Sequence, residues 1–80
     1  MNITIIFLED SMLISKVEYK SWREIQDEYE GYKASLGPWD ADDVVEYLED
    51  EYTDLNPEAK IQVENLLSAS EKTRRLTFNA

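Results

Sequence analysis

Apolar and polar positions change their period along this chain, and each change marks a predicted element. Residues 2–8 read Asn-Ile-Thr-Ile-Ile-Phe-Leu. In an extended chain Ile3, Ile5 and Phe7 share one side while Thr4, Ile6 and Leu8 share the other. The segment therefore predicts a strand with two largely apolar faces. Glu9-Asp10-Ser11 is a polar break that lacks the Asn-Gly or Asp-Gly pair of a tight hairpin turn. Period two returns from Met12 to Tyr19, with Leu13, Val17 and Tyr19 set against Lys16 and Glu18. A β-hairpin over residues 2–19 follows.

Helical spacing takes over at Ser21. Ser21-x-x-Glu24 has the form of a capping box, in which each side chain satisfies a backbone donor of the other residue. Trp22, Ile25, Tyr29, Tyr32 and Leu36 then make one apolar stripe, predicting a helix over about 21–36. Gly31 interrupts it at a cost of about 1 kcal/mol, and Gly37-Pro38 stops it. A second helix is expected over 40–53. Asp40 is its N-cap, and Trp39 with Val44 forms a hydrophobic staple. Ala41, Val44, Val45, Leu48, Tyr52 and Leu55 make its buried side. A third helix is expected over 56–75, with Asn56 as cap and Pro57 at the first helical position. Ala59, Val63, Leu66, Leu67 and Ser70 face inward there, and Lys72, Arg74 and Arg75 stand at the end favoured by cations. For Leu76-Thr77-Phe78 a longer helix, a frayed end and a short C-terminal strand all stay open. The order ββααα predicts a single α+β domain over 1–80, its helices covering one side of the hairpin.

Composition narrows the function classes. Apolar content of 42% with nine aromatics suits a packed fold. Cysteine and histidine are both absent. That removes disulfides, thiolate chemistry, zinc-cysteine sites and the commonest general base and metal ligand. No nucleophile elbow, phosphate-cradling glycine loop or His-Glu-x-x-His helix occurs. Asp40-x-Asp42 opens like a calcium loop, but Val44 and Val45 occupy positions that need an oxygen ligand and a glycine. The expectation is a protein that is not an enzyme, with no cofactor and no metal site. The N-terminal apolar run is too short for a signal-peptide core or a membrane span, so a cytoplasmic protein is expected.

Charge changes the picture most. The net charge is −10, and its placement is uneven. From Glu24 to Asp54 there are twelve acids and one base, Lys33, whereas residues 57–80 hold four bases and three acids. On the second helix Asp43, Glu46, Asp50 and Asp54 lie opposite the buried stripe, with Asp42 and Glu49 at the flank. On the first helix Glu24, Asp27 and Glu30 point outward, with Glu28 beside them. Such helical neighbours sit about 5–6 Å apart, close to the spacing of successive phosphates on a nucleic-acid strand. Tyr47 falls beside the ridge. These residues together predict a face for a basic partner.

The bland alternative is a solvated acidic surface, although mixed signs serve solubility better than a one-sided block. As a binding face, the array suits a nucleic-acid mimic that inhibits a nucleic-acid-binding protein or nuclease, in the manner of phage or mobile-element anti-restriction and anti-CRISPR inhibitors. An antitoxin or immunity-type partner of a basic toxin is the second reading. An assembly adaptor or homodimer using apolar Ile6, Leu8 or Ile61 is the third. The charge disfavours direct binding to nucleic acid or to an anionic membrane.

Overall fold

The apolar run at the start of the chain forms strand β1 (Asn2–Leu8), and the other elements are arranged around it. The computed structural model describes residues 2–79. Strand β1 pairs antiparallel with β2 (Met12–Ser15), placing Phe7 opposite Met12 and Ile5 opposite Ile14. On its other edge β1 pairs antiparallel with β3 (Tyr32–Asp40), and β2 pairs with β4 (Thr73–Arg75). The sheet order is β3-β1-β2-β4. Helices α1 (Trp22–Glu28), α2 (Ala41–Glu51) and α3 (Ala59–Ser68) complete an α+β architecture with an N-terminal hairpin and a short C-terminal strand. No helix among the described residues is long and apolar enough to cross a membrane.

The two apolar faces of β1 are both used. Ile3 and Ile5, with Met12 and Ile14 of β2, pack under Val44 and Leu48 of α2 and Ala59, Val63 and Leu66 of α3. Ile6 and Leu13 pack on the reverse side against Ile25 of α1, with Leu8, Tyr19, Tyr29 and Tyr32 around them. The helices thus cover both sides of the sheet and not one, because a strand apolar on both faces must be shielded on both. Ile6 is fully buried, which removes it as a contact for a second copy; Leu8 is half-buried.

The helix expected over 21–36 ends at Glu28, and Tyr32–Asp40 is strand β3. The Ser21 side chain makes no cap hydrogen bond, while the Glu24 carboxylate accepts the backbone N–H of Lys20. The backbone is already extended at Tyr29, and Gly31, at φ +78°, supplies the turn that leads into β3. Tertiary demand overrides local spacing here. Without β3, one edge of β1 would carry unpaired backbone groups inside the protein. The spacing of Tyr29, Tyr32 and Leu36 suits either structure; in the strand Tyr32 turns to the α1 side, and Leu36 and Trp39 to the α2 side.

The third helix is also shorter than its pattern. It begins at Ala59 with Glu58 at the N-cap, because the residues before it are tied to the C-terminal segment. Asn56 N–H donates to Thr77 O at 3.1 Å, and Thr77 Oγ1 donates to Asn56 O at 2.6 Å. Leu55 bridges Phe78. The chain after Ser68 leaves the helix and pairs with the free edge of β2, so Arg74 and Arg75 sit on a strand and not at a helix end. Buried Gln62 locks this arrangement. Its Nε2 donates to Pro57 O and Thr77 O at 2.6 and 2.9 Å, and its Oε1 accepts Thr77 N–H at 2.9 Å.

A bulge fits β3 to β1. Between the pairs Ile3–Trp39 and Ile5–Leu36, Gly37 and Pro38 together oppose Thr4 alone. Gly37 has φ +103°, and a Cβ there would stand 2.9 Å from the Ile3 carbonyl oxygen. Gly37→Ala is expected to destabilise the fold by about 1–3 kcal/mol, read as a lower urea midpoint.

Candidate partner-binding face

Burial of Val44 and Leu48 sets the rotation of α2 and so decides which of its residues meet water. Asp42, Asp43, Glu46, Glu49, Asp50 and Glu51 are all exposed, as is Asp54 just beyond the helix. Among the described residues none of these carboxylates has a hydrogen bond or an ion pair. An ion pair among the described residues, Arg74 Nε to Glu71 Oε1 at 3.2 Å, lies on the C-terminal segment. Exposed bases gather there too, at Lys72, Arg74 and Arg75, on the sheet edge away from α2.

The helix gains from part of this charge and loses from the rest. Asp42 and Asp43 stand in the first turn, where the helix dipole favours anions. The last turn holds no base, so Glu49, Asp50 and Glu51 stand where the dipole disfavours them.

The acids of α1 do not join this surface. Helix α1 lies on the opposite side of the sheet from α2, so the two outer faces point away from each other. The single array expected from both helices is therefore split. Two of its members are also occupied locally: Glu24 accepts the Lys20 N–H, and Tyr19 Oη donates to Glu28 Oε2 at 3.1 Å. Asp27 and Glu30 are exposed on that side.

Sharper relief appears on α2. Asp43, Glu46, Tyr47 and Asp50 follow at helical spacing and, with Trp39 at the end of β3, line an open depression. Trp39 and Tyr47 are half-buried and meet edge to face, with ring centroids 5.5 Å apart and planes at 65°. Tyr47 thus lies where the helical wheel puts it, beside the ridge, while also packing on the core. Burial pushes its phenol pKa up, with Tyr52 and Glu51 adding to the effect. Glu49, on the other flank, lines a separate depression with Tyr52, Leu55 and Glu58.

Two tryptophans take roles the sequence pattern does not separate. Trp22, expected on a buried stripe, is 52% exposed; it stacks on Tyr32 at 6.5 Å and carries the Arg23 guanidinium 5.4 Å above its ring. It starts a helix too short to carry a long stripe, and only Ile25 of α1 is buried. Trp39, expected as a staple residue, lines the depression; its four-residue distance from Asp43 was the available signal. Ile61 is exposed, as its place opposite the inner face of α3 implies.

Comparison with protein-family models, curated proteins and solved structures finds no match to this chain.

Two stability measurements follow. Asp50→Lys replaces an anion with a cation near the C-terminal end of α2, one turn from Glu46. It is expected to stabilise the fold by about 0.3–1 kcal/mol at low salt, read as a raised thermal midpoint. The Tyr19 phenol is held well above its ordinary pKa, chiefly by burial. Its raised folded-state pKa leaves stability intact below about pH 10 and lowers it as pH rises further, because the unfolded chain loses the proton first. Tyr19→Phe should flatten that alkaline loss in denaturation curves taken between pH 8 and 11.

Proposed function

We propose that this chain acts by binding, and that α2 presents its acids to the basic groove of a nucleic-acid-binding protein or nuclease in place of nucleic acid. The observation that carries this reading is the unpaired acids of α2 and the residues just past it: seven exposed carboxylates from Asp42 to Asp54, six of them on the helix, with no cation of the described chain among them. A surface serving solubility alone gains from mixed signs. This one retains like-charge neighbours and an unfavourable dipole position at its C-terminal end.

Size bounds the proposal. At 1.5 Å per residue α2 is roughly 16 Å long, about half a turn of duplex. The mimic therefore covers a short stretch of a binding groove, and long-range steering supplies much of its association rate. The split of α1 from α2 places the ridge on one side of the molecule, so Asp43, Glu46 and Asp50 are central to it. Asp42, Glu49 and Asp54 flank them, and Glu24, Asp27, Glu28 and Glu30 are peripheral.

The test uses immobilised wild-type protein and the triple variant Asp43→Lys/Glu46→Lys/Asp50→Lys, both checked for folding by circular dichroism. Wild type is expected to capture nucleic-acid-binding proteins from cell lysate. Duplex DNA or RNA and moderate salt should each release them, and the triple variant should slow association on the order of tenfold or more. Loss of capture in the variant without competition by nucleic acid would favour a toxin-type partner. Unchanged capture by the variant would overturn the acidic face as the binding surface.

A further inference from the structure

The face of α2 holds a feature that charge mimicry alone does not require. Trp39 and Tyr47 add two large, half-buried rings to the lining of the depression, alongside Asp43, Glu46 and Asp50. A ridge acting only through long-range charge gains nothing from aromatic surface at that place. Resting on the reading of α2 as the binding face, we propose that this depression receives the guanidinium of a partner arginine and selects arginine over lysine.

The chemistry of the lining matches that group. A guanidinium is planar, weakly hydrated and able to lie on an aromatic ring, and its fork of N–H donors engages carboxylates in pairs. Asp43, Glu46 and Asp50 lie along one side of the helix, and Asp43 and Asp50, four residues before and three after Tyr47, place carboxylates in both directions from it. An ammonium is a compact, strongly hydrated charge that satisfies the same carboxylates but gives up more hydration to sit on a ring. The chain contains its own example of the pairing. The guanidinium of Arg23 stands 5.4 Å over Trp22, on the far side of the sheet. Trp22 thus has its cation from within, whereas no cation of the described chain lies against Trp39 or Tyr47. The depression is open and shallow, which suits the tip of a side chain presented from a protein surface.

Hexa-arginine and hexa-lysine peptides of equal charge test the assignment by titration calorimetry and by nuclear magnetic resonance of the two indole N–H signals. Wild-type protein is expected to bind the arginine peptide roughly three- to tenfold tighter, moving the Trp39 indole signal more than the Trp22 signal. Tyr47→Leu and Trp39→Leu should bring the two affinities close together while both peptides still bind. Trp22→Leu should leave the preference unchanged. If either core-facing variant fails to fold, the indole shifts in the wild-type protein still decide. Equal affinity for the two peptides, or a preference that survives in folded Tyr47→Leu, overturns the arginine site and leaves the acidic face standing. Failure of both peptides to perturb α2 overturns the face and the site together.

Discussion

Strand β1 has no side that can face water, and the rest of the molecule follows from that constraint. Ile3 and Ile5 are fully buried on one face and Ile6 on the other. Burial of such side chains stabilises by about 1.5–3 kcal/mol each, a large share of the 5–15 kcal/mol typical of a whole domain. Covering only one face would leave part of that gain unrealised. The chain answers with α2 and α3 on one side, the short α1 on the other, and β2 and β3 on the two edges.

This layering decides how the charge is presented. The acids between Glu24 and Asp54 are one block in the chain but two surfaces in space, because the sheet separates α1 from α2. Helix α2 tolerates its own repulsion because it is held from beneath. Like-charge neighbours such as Asp42/Glu46, Asp43/Glu46 and Glu46/Asp50 cost together on the order of 1 kcal/mol. Burying Val44 and Leu48 contributes about 3–6 kcal/mol. The core thus holds in place a charged face that the helix alone would not favour. The same anchoring brings Trp39, at the end of β3, beside Tyr47 of α2, so the bulge at Gly37 also sets the geometry of the depression.

Much of this was legible in the residues. The two apolar sides of β1, the hairpin and the α2 stripe of Val44 and Leu48 are short-range patterns with one good solution each. The outward direction of Asp43, Glu46 and Asp50 follows from that stripe by helical geometry. The segment 32–40 was not legible in the same way. Tyr29, Tyr32 and Leu36 stand at spacings that both a helix and a bulged strand can use, and nothing nearby announces that β1 lacks an edge partner. The C-terminal strand raised the same difficulty, since Thr73–Arg75 pairs with residues about sixty positions earlier.

By itself, then, the sequence determined that the chain is an α+β fold with a two-faced first strand and an acidic α2 turned to solvent. Those features rest on local periodicity and on the identity of the side chains. Tertiary structure alone decided that α1 and α2 lie on opposite sides of the sheet, that Trp22 is exposed, and that Trp39 meets Tyr47. These depend on which distant backbone edges must be paired and which faces must be covered, and such requirements belong to the assembled sheet and to no single stretch of chain.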